Sequence, residues 1–541
     1  MDSAIDKLRA GYDESPYPLN SYPQSAPGQL AAVAHLFGLD VPPVAHARVL
    51  EIGSAVGGNL IPFAAQHPRA HVVGVDLSPA QTAQARLHVE SAGLDNVTLL
   101  EADISEIDVA ALGSFDYVVC HGVYSWVPEK VRESILSVMQ DVLSPNGVGY
   151  VSYNVYPGWK SKEIVRDAML LASADAITPA ARTRAAREAV EFLGEVALPG
   201  GASARAVADH RAVAAAHADP YLLHDELELF NTPCYFAEFV RAAQSHGLAY
   251  VAEAQPEYMF AGNFGADLAS RLTAKCGDDQ VQLQQYLDLA INRSFRQSLL
   301  VHADRTPDIR HTLDCTRFDA LHLAAWLPPV DGETRLDGSF QEFRGNDAGS
   351  LMIADPVQKV ALDVLNVGWP WTMSRAELID SVRASLPFAR GTDRLESRID
   401  ELLELLIVHG QARYRLDHIR PQQYSRFQLD DPARRLAEAT RGDPDAYSFT
   451  AWHETMALTP FDRYLLPLMD GTRDRAALVE AMLGYARRRV IGFHGGGREL
   501  TGDAQLREAI GLQIDGLSSR LPGLQLTEVA EVPDERQSTP A

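Results

Sequence analysis

The first third of the chain carries residues whose types and spacing could do chemistry. Residues 49–60 read VLEIGSAVGGNL, an apolar run containing Glu51, then Gly53, Ser54, Ala55, Gly57, Gly58 and Asn59. Downstream, VVGVDLS ends an apolar run at Asp76 and Leu77, NVTLLEADI ends another at Asp103 and Ile104, and FDYVVCHGVYSWVP delivers His121, Tyr124 and Trp126. A glycine-rich turn between an apolar run and a helical pattern presents backbone N–H groups and a helix N-terminus to a nucleotide-like ligand. By itself the turn does not select that ligand, because Gly53, Ala55 and Gly58 also satisfy a loosened dinucleotide fingerprint.

These groups can meet only if each sits at the same end of a sheet. The apolar runs alternate with helical stretches: NLIPFAAQHP after the glycines, SPAQTAQARLHVESAG after Asp76, and an amphipathic segment from residue 129 that a Pro-Asn-Gly turn stops. A fifth run, VGYVSYN, ends at Asn154. This rhythm predicts an α/β fold, a Rossmann-like doubly wound sheet of parallel strands with its ligand loops at the carboxyl ends.

The acids narrow the choice among NAD, FAD and S-adenosylmethionine (AdoMet). AdoMet presents a ribose diol, an adenine amino group and an ammonium, all donors that carboxylates accept. Asp76 suits the ribose, Asp103 the adenine amino group, and Glu51 acts through water or by orienting the glycine loop. A dinucleotide would bring two phosphates instead, which a carboxylate two residues before the first glycine opposes.

Five segments surround these groups. Residues 1–45 include YDESPYPLNSYPQS, with Tyr12, Tyr17, Tyr22 and Ser25, and are expected to form a lid ahead of the binding core at 46–155. Residues 156–222 are alanine-rich and helical, an insertion and candidate dimerisation element. Within 223–308, FNTPCYFAEFVRAAQSHGLAYVAEA supplies a helix and strand that close the same sheet. Residues 309–425 read as helix, turn, helix, longer helix and strand, the order of a winged-helix-like module; 426–541 form a second, mainly helical module with a polar, disordered tail. The run GFHGGGREL is expected to be a surface loop, because the chain has no G-x-S-x-G elbow to accompany it.

Composition excludes other classes. No apolar run approaches a membrane span and the N-terminus lacks a secretory core, so a cytoplasmic location and no membrane insertion are expected. Cys120, Cys234, Cys276 and Cys315 lack metal-ligand spacing, so neither a zinc site nor a disulfide framework is expected. A formal net charge of -24 repels phosphates, which argues against nucleic acid as a partner.

VLEIGSAVGGN, VVGVDLS, LLEAD and FDYVVCHGVYSWVP resemble class I AdoMet-dependent methyltransferases. The segments YDESPYPLNSYPQSAPGQLAAVAHLFGL, YNVYPGWKSKEIVRDAM and LDLAINRSFRQSLLVH extend the resemblance to methyltransferases with a regulatory domain, among them the bacterial protein lysine methyltransferases that modify rickettsial outer-membrane proteins. The resemblance implies AdoMet as cofactor and a protein substrate, with an outer-membrane protein as one candidate and a homodimer as one assembly. It places Glu51, Gly53, Ser54, Gly57, Asn59, Asp76, Leu77, Asp103, Ile104, His121, Tyr17 and Ser25 at the cofactor. Two departures stand out: Ala55 replaces a second glycine, and Ser25-Ala26-Pro27 lacks the histidine the family has before its proline.

Methyl transfer from a sulfonium is an in-line displacement that needs alignment and no metal. A lysine acceptor further needs an aromatic channel and a group that takes or holds its proton. Tyr124, Trp126 and Asn154 are the candidates for the acceptor side, with His121 as a candidate base. Two other functions fit parts of the sequence. One is methylation of a small molecule or natural product; the other is an AdoMet-sensing DNA-binding regulator, prompted by MSRAELIDSVRASL, which carries Arg375 and Arg383 but also Glu377 and Asp380.

Overall fold

Strands β1 (Arg48–Ile52), β2 (His71–Asp76), β3 (Val97–Glu101), β4 (Phe115–Cys120), β5 (Leu143–Asn154), β6 (Leu248–Glu253) and β7 (Phe295–His302) form one sheet in the order β3-β2-β1-β4-β5-β7-β6. The structure is a computed structural model and describes residues 2–216, 222–345, 349–386, 394–420, 427–444, 446–495 and 498–517. The first five strands are parallel, and β7 runs antiparallel between β5 and β6. The sheet is therefore mixed rather than wholly parallel. Periodicity hides β7 because its buried Arg296 and Ser298 break the apolar run.

Local chemistry sets the connections. Ser78 caps the helix Pro79–Ala92 by accepting from Gln81 N, with proline at the first helical position and Gly93 in the left-handed region at the end. The Pro-Asn-Gly turn after the helix Glu129–Val142 is absorbed into β5: Phe115 pairs with Leu143 and Tyr117 with Val148, so the intervening residues bulge out of the ladder.

Each face of the sheet carries its own core. One holds Ile52, Val75, Val118, Ile135, Met139 and Phe239. The other runs from Leu30, Phe37 and Val49 through Leu299 to Phe343, Leu402 and Leu406. The module at 309–425 thus shares a core with the sheet; it contributes the strand His322–Ala324 between Met373–Ser374 and Arg413–Arg415, with helices Pro356–Gly368, Arg375–Ser385 and Leu395–Val408.

The insertion, with helices Gly158–Ser173, Pro179–Val196 and Ala202–Ala216 and the turn Leu222–Glu226, closes on a small core of Val165, Met169, Val190, Val207 and Leu222. The last module packs around Leu465, Leu478, Met482 and Ile510 and includes the hairpin Tyr447–Phe449/Thr455–Ala457. The stretch expected as a surface loop is exposed but paired, His494 with Glu499 and Gly495 with Arg498. The C-terminal tail lies outside the described residues. Among the described residues, no helix is long and apolar enough to cross a membrane.

Candidate active site

The carboxyl ends of β1 to β5 open into a cavity of about 590 Å³. Its floor is Glu51, Gly53, Ser54, Gly58 and Asn59; Asp76, Leu77, Asp103 and Ile104 form one side and His121, Trp126 and Asn154 another. Tyr12, Tyr17 and Tyr22 of the N-terminal segment and Trp159, Asp209, Asp225 and Glu226 of the insertion complete the wall.

Backbone geometry explains the glycine loop. A Cβ on Gly53 (φ +77°) would lie 2.3 Å from Val123 Cγ2, and one on Gly58 would lie 2.3 Å from the Asn20 carbonyl oxygen, so the N-terminal segment sits directly on the loop. Ala55 occupies the position of a second glycine at φ 45°, a left-handed conformation costly for an L-residue, and its N–H donates to Asp76 Oδ2 at 2.8 Å. Gly57 does not line the cavity; at φ +86° it shapes the turn against Ile61 and Ala85, which corrects its assignment to the cofactor. Asp76 is buried, with Oδ1 accepting from Ser78 N at 2.8 Å, and burial raises its pKa. The half-buried Asp103 accepts from Ser105 N and Oγ at 2.8 Å.

Asn59 is the hub of the floor. Its Nδ2 donates to Glu51 Oε1 at 2.9 Å and to Ser25 Oγ at 3.0 Å. Its Oδ1 accepts from Tyr22 N at 3.0 Å and Ser25 Oγ at 3.2 Å and meets His453 Nε2 at 2.9 Å. Ser25, fully buried and absent from the cavity wall, therefore supports Asn59 and does not touch a ligand, a second correction. His453 went unnoticed in the sequence because it lies far along the chain in an unremarkable WHET run. Burial pushes its pKa down to about 3, so the ring is neutral and Nε2 donates. Replacing His453 by Ala is expected to raise the dissociation constant for S-adenosylhomocysteine (AdoHcy) about threefold to tenfold, the worth of one hydrogen bond. Calorimetric titration reads this directly, and an unchanged constant would remove the C-terminal hairpin from the site.

On the acceptor side, Trp126 meets Trp159 edge to face at 6.0 Å. Asn154 donates through Nδ2 to Asn231 Oδ1 at 2.9 Å. Tyr17 hydrogen-bonds Asp225 at 3.1 Å and stacks on His224, tying the N-terminal segment to the insertion. Tyr124 does not reach the cavity: its ring packs edge-on against Phe239 and Tyr153 beneath the sheet, which removes it from the acceptor side. His121 packs against Tyr22 with the rings tilted by 31° and their centroids 3.9 Å apart, and it bonds Tyr150 Oη through Nδ1 at 2.8 Å. Burial lowers its pKa to about 3, so it is a neutral hydrogen-bonding group and too weak a base for an ammonium, correcting the proton-acceptor assignment.

One atom tests whether AdoMet fits. Glu51 Oε2 is buried in the cavity floor with no hydrogen-bond partner. An orphaned carboxylate oxygen is costly, and a donor on a bound cation would satisfy it. With Asp76, Leu77, Asp103 and Ile104 at the next strand ends, the floor fits an amino-acid-linked nucleoside.

Comparison with known proteins agrees. Residues 49–147 match the family described as "Methyltransferase domain", residues 218–302 the "Predicted methyltransferase regulatory domain", and residues 429–521 the "PKMT, C-terminal winged helix domain". The chain is 30% identical over 510 residues to the uncharacterised protein RP789 of Rickettsia prowazekii (strain Madrid E), covering 92% of this chain and 90% of that one. It is 35% identical to RP028 of the same organism over 238 residues, covering 44% and 94%. PKMT2 from Rickettsia typhi, solved in complex with AdoHcy, superposes with a TM-score of 0.83 at 26% identity, covering 94% of this chain and all of that chain, 100%. The glycine-loop cavity, the seven-strand order and this end-to-end likeness together show that the chain belongs to the AdoMet-dependent methyltransferases that carry a regulatory domain and a PKMT-type C-terminal winged helix.

Proposed function

We propose that the enzyme methylates lysine side chains of a protein. The observation that carries this reading is the wall opposite the glycine loop, where Asp225 and Glu226 stand with Tyr17, Trp126 and Trp159 around one cavity. Carboxylates and aromatic faces attract an alkylammonium, and the aromatic walls strip water from it as it loses its proton. AdoMet supplies an electrophilic methyl on a sulfonium. Glu51, Asn59 and Asp76 hold the cofactor, while Trp126, Trp159 and Asn154 orient the incoming amine for in-line attack. The likeness to PKMT2 supports the same acceptor class, with an outer-membrane protein as one candidate met in the cytoplasm before export.

The test is incubation with methyl-labelled AdoMet and a lysate of the host. Label recovered as methyl-lysine after protein hydrolysis is the expected outcome. Label confined to small molecules would reject the proposal in favour of metabolite methylation. Nothing favours the regulator reading: Arg375 is spent on Asp400 and Asp319 and Arg383 on Asp380, so neither guanidinium of this helix is left for phosphates. The insertion exposes Leu171, Ile177, Phe192 and Leu198, apolar side chains that a homodimer through the insertion would cover; a monomer by sedimentation velocity would exclude it.

A further inference from the structure

Far along the chain from the cofactor residues, three side chains from separate elements converge. His322 lies on the central strand of the three-stranded sheet, Glu377 in the first turn of the helix Arg375–Ser385, and His418 just beyond the strand Arg413–Arg415. One ligand atom from each lies within 4.8 Å of the others. The two imidazoles face each other at 4.1 Å between ring centroids. His322 Nδ1 and His418 Nε2 are both buried atoms without a hydrogen-bond partner. We propose that His322, His418 and Glu377 bind a zinc ion, which staples these three segments of the winged-helix-like module.

Donor chemistry and orientation support the assignment. Two imidazoles and a carboxylate are a borderline donor set suited to Zn²⁺, with a fourth position for water. His418 Nε2 stands 3.4 Å from Glu377 Oε2. A tetrahedral ion with ligands at ~2.0 Å holds them about 3.3 Å apart, so the wider pairs of the cluster, within 4.8 Å, would close onto it by side-chain rotation. Behind the ring, Thr372 Oγ1 accepts from Ile419 N at 2.9 Å and lies 2.9 Å from His418 Nδ1 and 3.2 Å from Ile419 O, so it can hold the tautomer in which Nδ1–H donates to Thr372 and the hydroxyl donates to Ile419 O. In that tautomer the Nε2 lone pair faces the Glu377 carboxylate 3.4 Å away, and a metal ion between them would satisfy both. Ser374 N and Oγ hold Glu377 Oε2 at 2.8 Å, and Arg420 lies 3.8 Å from Oε1, so the carboxylate is also fixed in place.

The experiment uses the full chain, stripped with a chelator, dialysed and titrated calorimetrically with zinc chloride. One equivalent is expected to bind tightly. Thr372→Val should weaken binding roughly tenfold to hundredfold, as loss of an outer-shell partner does, and H322A or H418A by more than that. His494→Ala, at an exposed histidine elsewhere, should leave binding unchanged, and AdoHcy binding checks that each variant is folded. X-ray absorption at the zinc edge of the loaded wild type needs no variant and should report two imidazoles. Absence of a stoichiometric site, fewer than two imidazoles, or uptake that survives the H322A/H418A double substitution overturns the proposal.

Discussion

Replacing Arg296 by methionine is expected to destabilise the protein by about 3–5 kcal/mol, the penalty for leaving buried charges without their partner. Arg296 is fully buried on β7 and binds Asp288 through Nε and Nη2 at 2.8 and 2.7 Å and Glu253 through Nη1 at 2.6 Å, with its guanidinium 3.9 Å from the centre of the Phe236 ring. It thus joins β6, β7 and the helices Phe236–Ser245 and Gln280–Ile291 at the closing edge of the sheet. Burial pushes the Glu253 carboxyl up, but the Arg296 and Arg293 guanidiniums bring it net below its ordinary value; for Asp288 burial prevails and its pKa is raised. Without Arg296 both acids titrate upward: Arg293, 2.8 Å from Asp288, stays as a cationic partner, and Glu253 keeps only the neutral donors Tyr250 Oη, Gln297 N and Ser298 Oγ among those described. An acid whose folded pKa is raised contributes stability below its unfolded value and loses it as pH rises through the folded value. The deficit in melting temperature should therefore be larger at pH 8 than at pH 5. Adding Glu253→Gln and Asp288→Asn should recover much of it; a melting temperature that Arg296→Met leaves unchanged would show that the network does not hold the sheet edge.

Glu51→Gln is expected to weaken AdoHcy binding at pH 8 by about 1.5–3 kcal/mol, roughly tenfold to hundredfold, the range for a hydrogen bond to a charged group. The pH profile is the sharper readout. Burial, opposed by the Asn59 hydrogen bond and reinforced by Asp76, raises the Glu51 pKa to about 7. In the free protein this acid favours the folded state when protonated, and that contribution fades as pH rises from its unfolded value towards about 7. A ligand ammonium beside Oε2 reverses the preference, so binding must expel the proton. Wild-type affinity should fall about tenfold from pH 8 to pH 6, by linkage to a group with its pKa near 7. The Gln variant should show no such slope. Equal slopes in the two proteins would mean that the ligand ammonium does not reach Glu51.

Those parts of the architecture that depend on local pattern can be read from the order of residues. Six strands and their helices are legible because apolar runs alternate with capped, amphipathic stretches, and the carboxyl-end geometry of the first five follows from the handed packing of parallel strands. Glu51, Asp76 and Asp103 could be named because each closes or follows a strand at a fixed spacing from a turn. Tertiary structure alone decided which neighbours face the cavity. Gly57 and Gly58 are adjacent, yet only Gly58 lines it; Tyr124 and Trp126 share one short turn, yet the first points into the core. Spacing cannot resolve such choices, because a turn of one residue reverses the direction of a side chain. Nor could local pattern reveal β7, whose buried Arg296 is tolerable only beside carboxylates supplied from other elements. His453 meets Asn59 across 394 positions of chain, and His322 meets His418 across the module; both are long-range contacts. Buried polar groups find their partners only after distant segments have packed, so their roles are written in the fold and not in the order of residues.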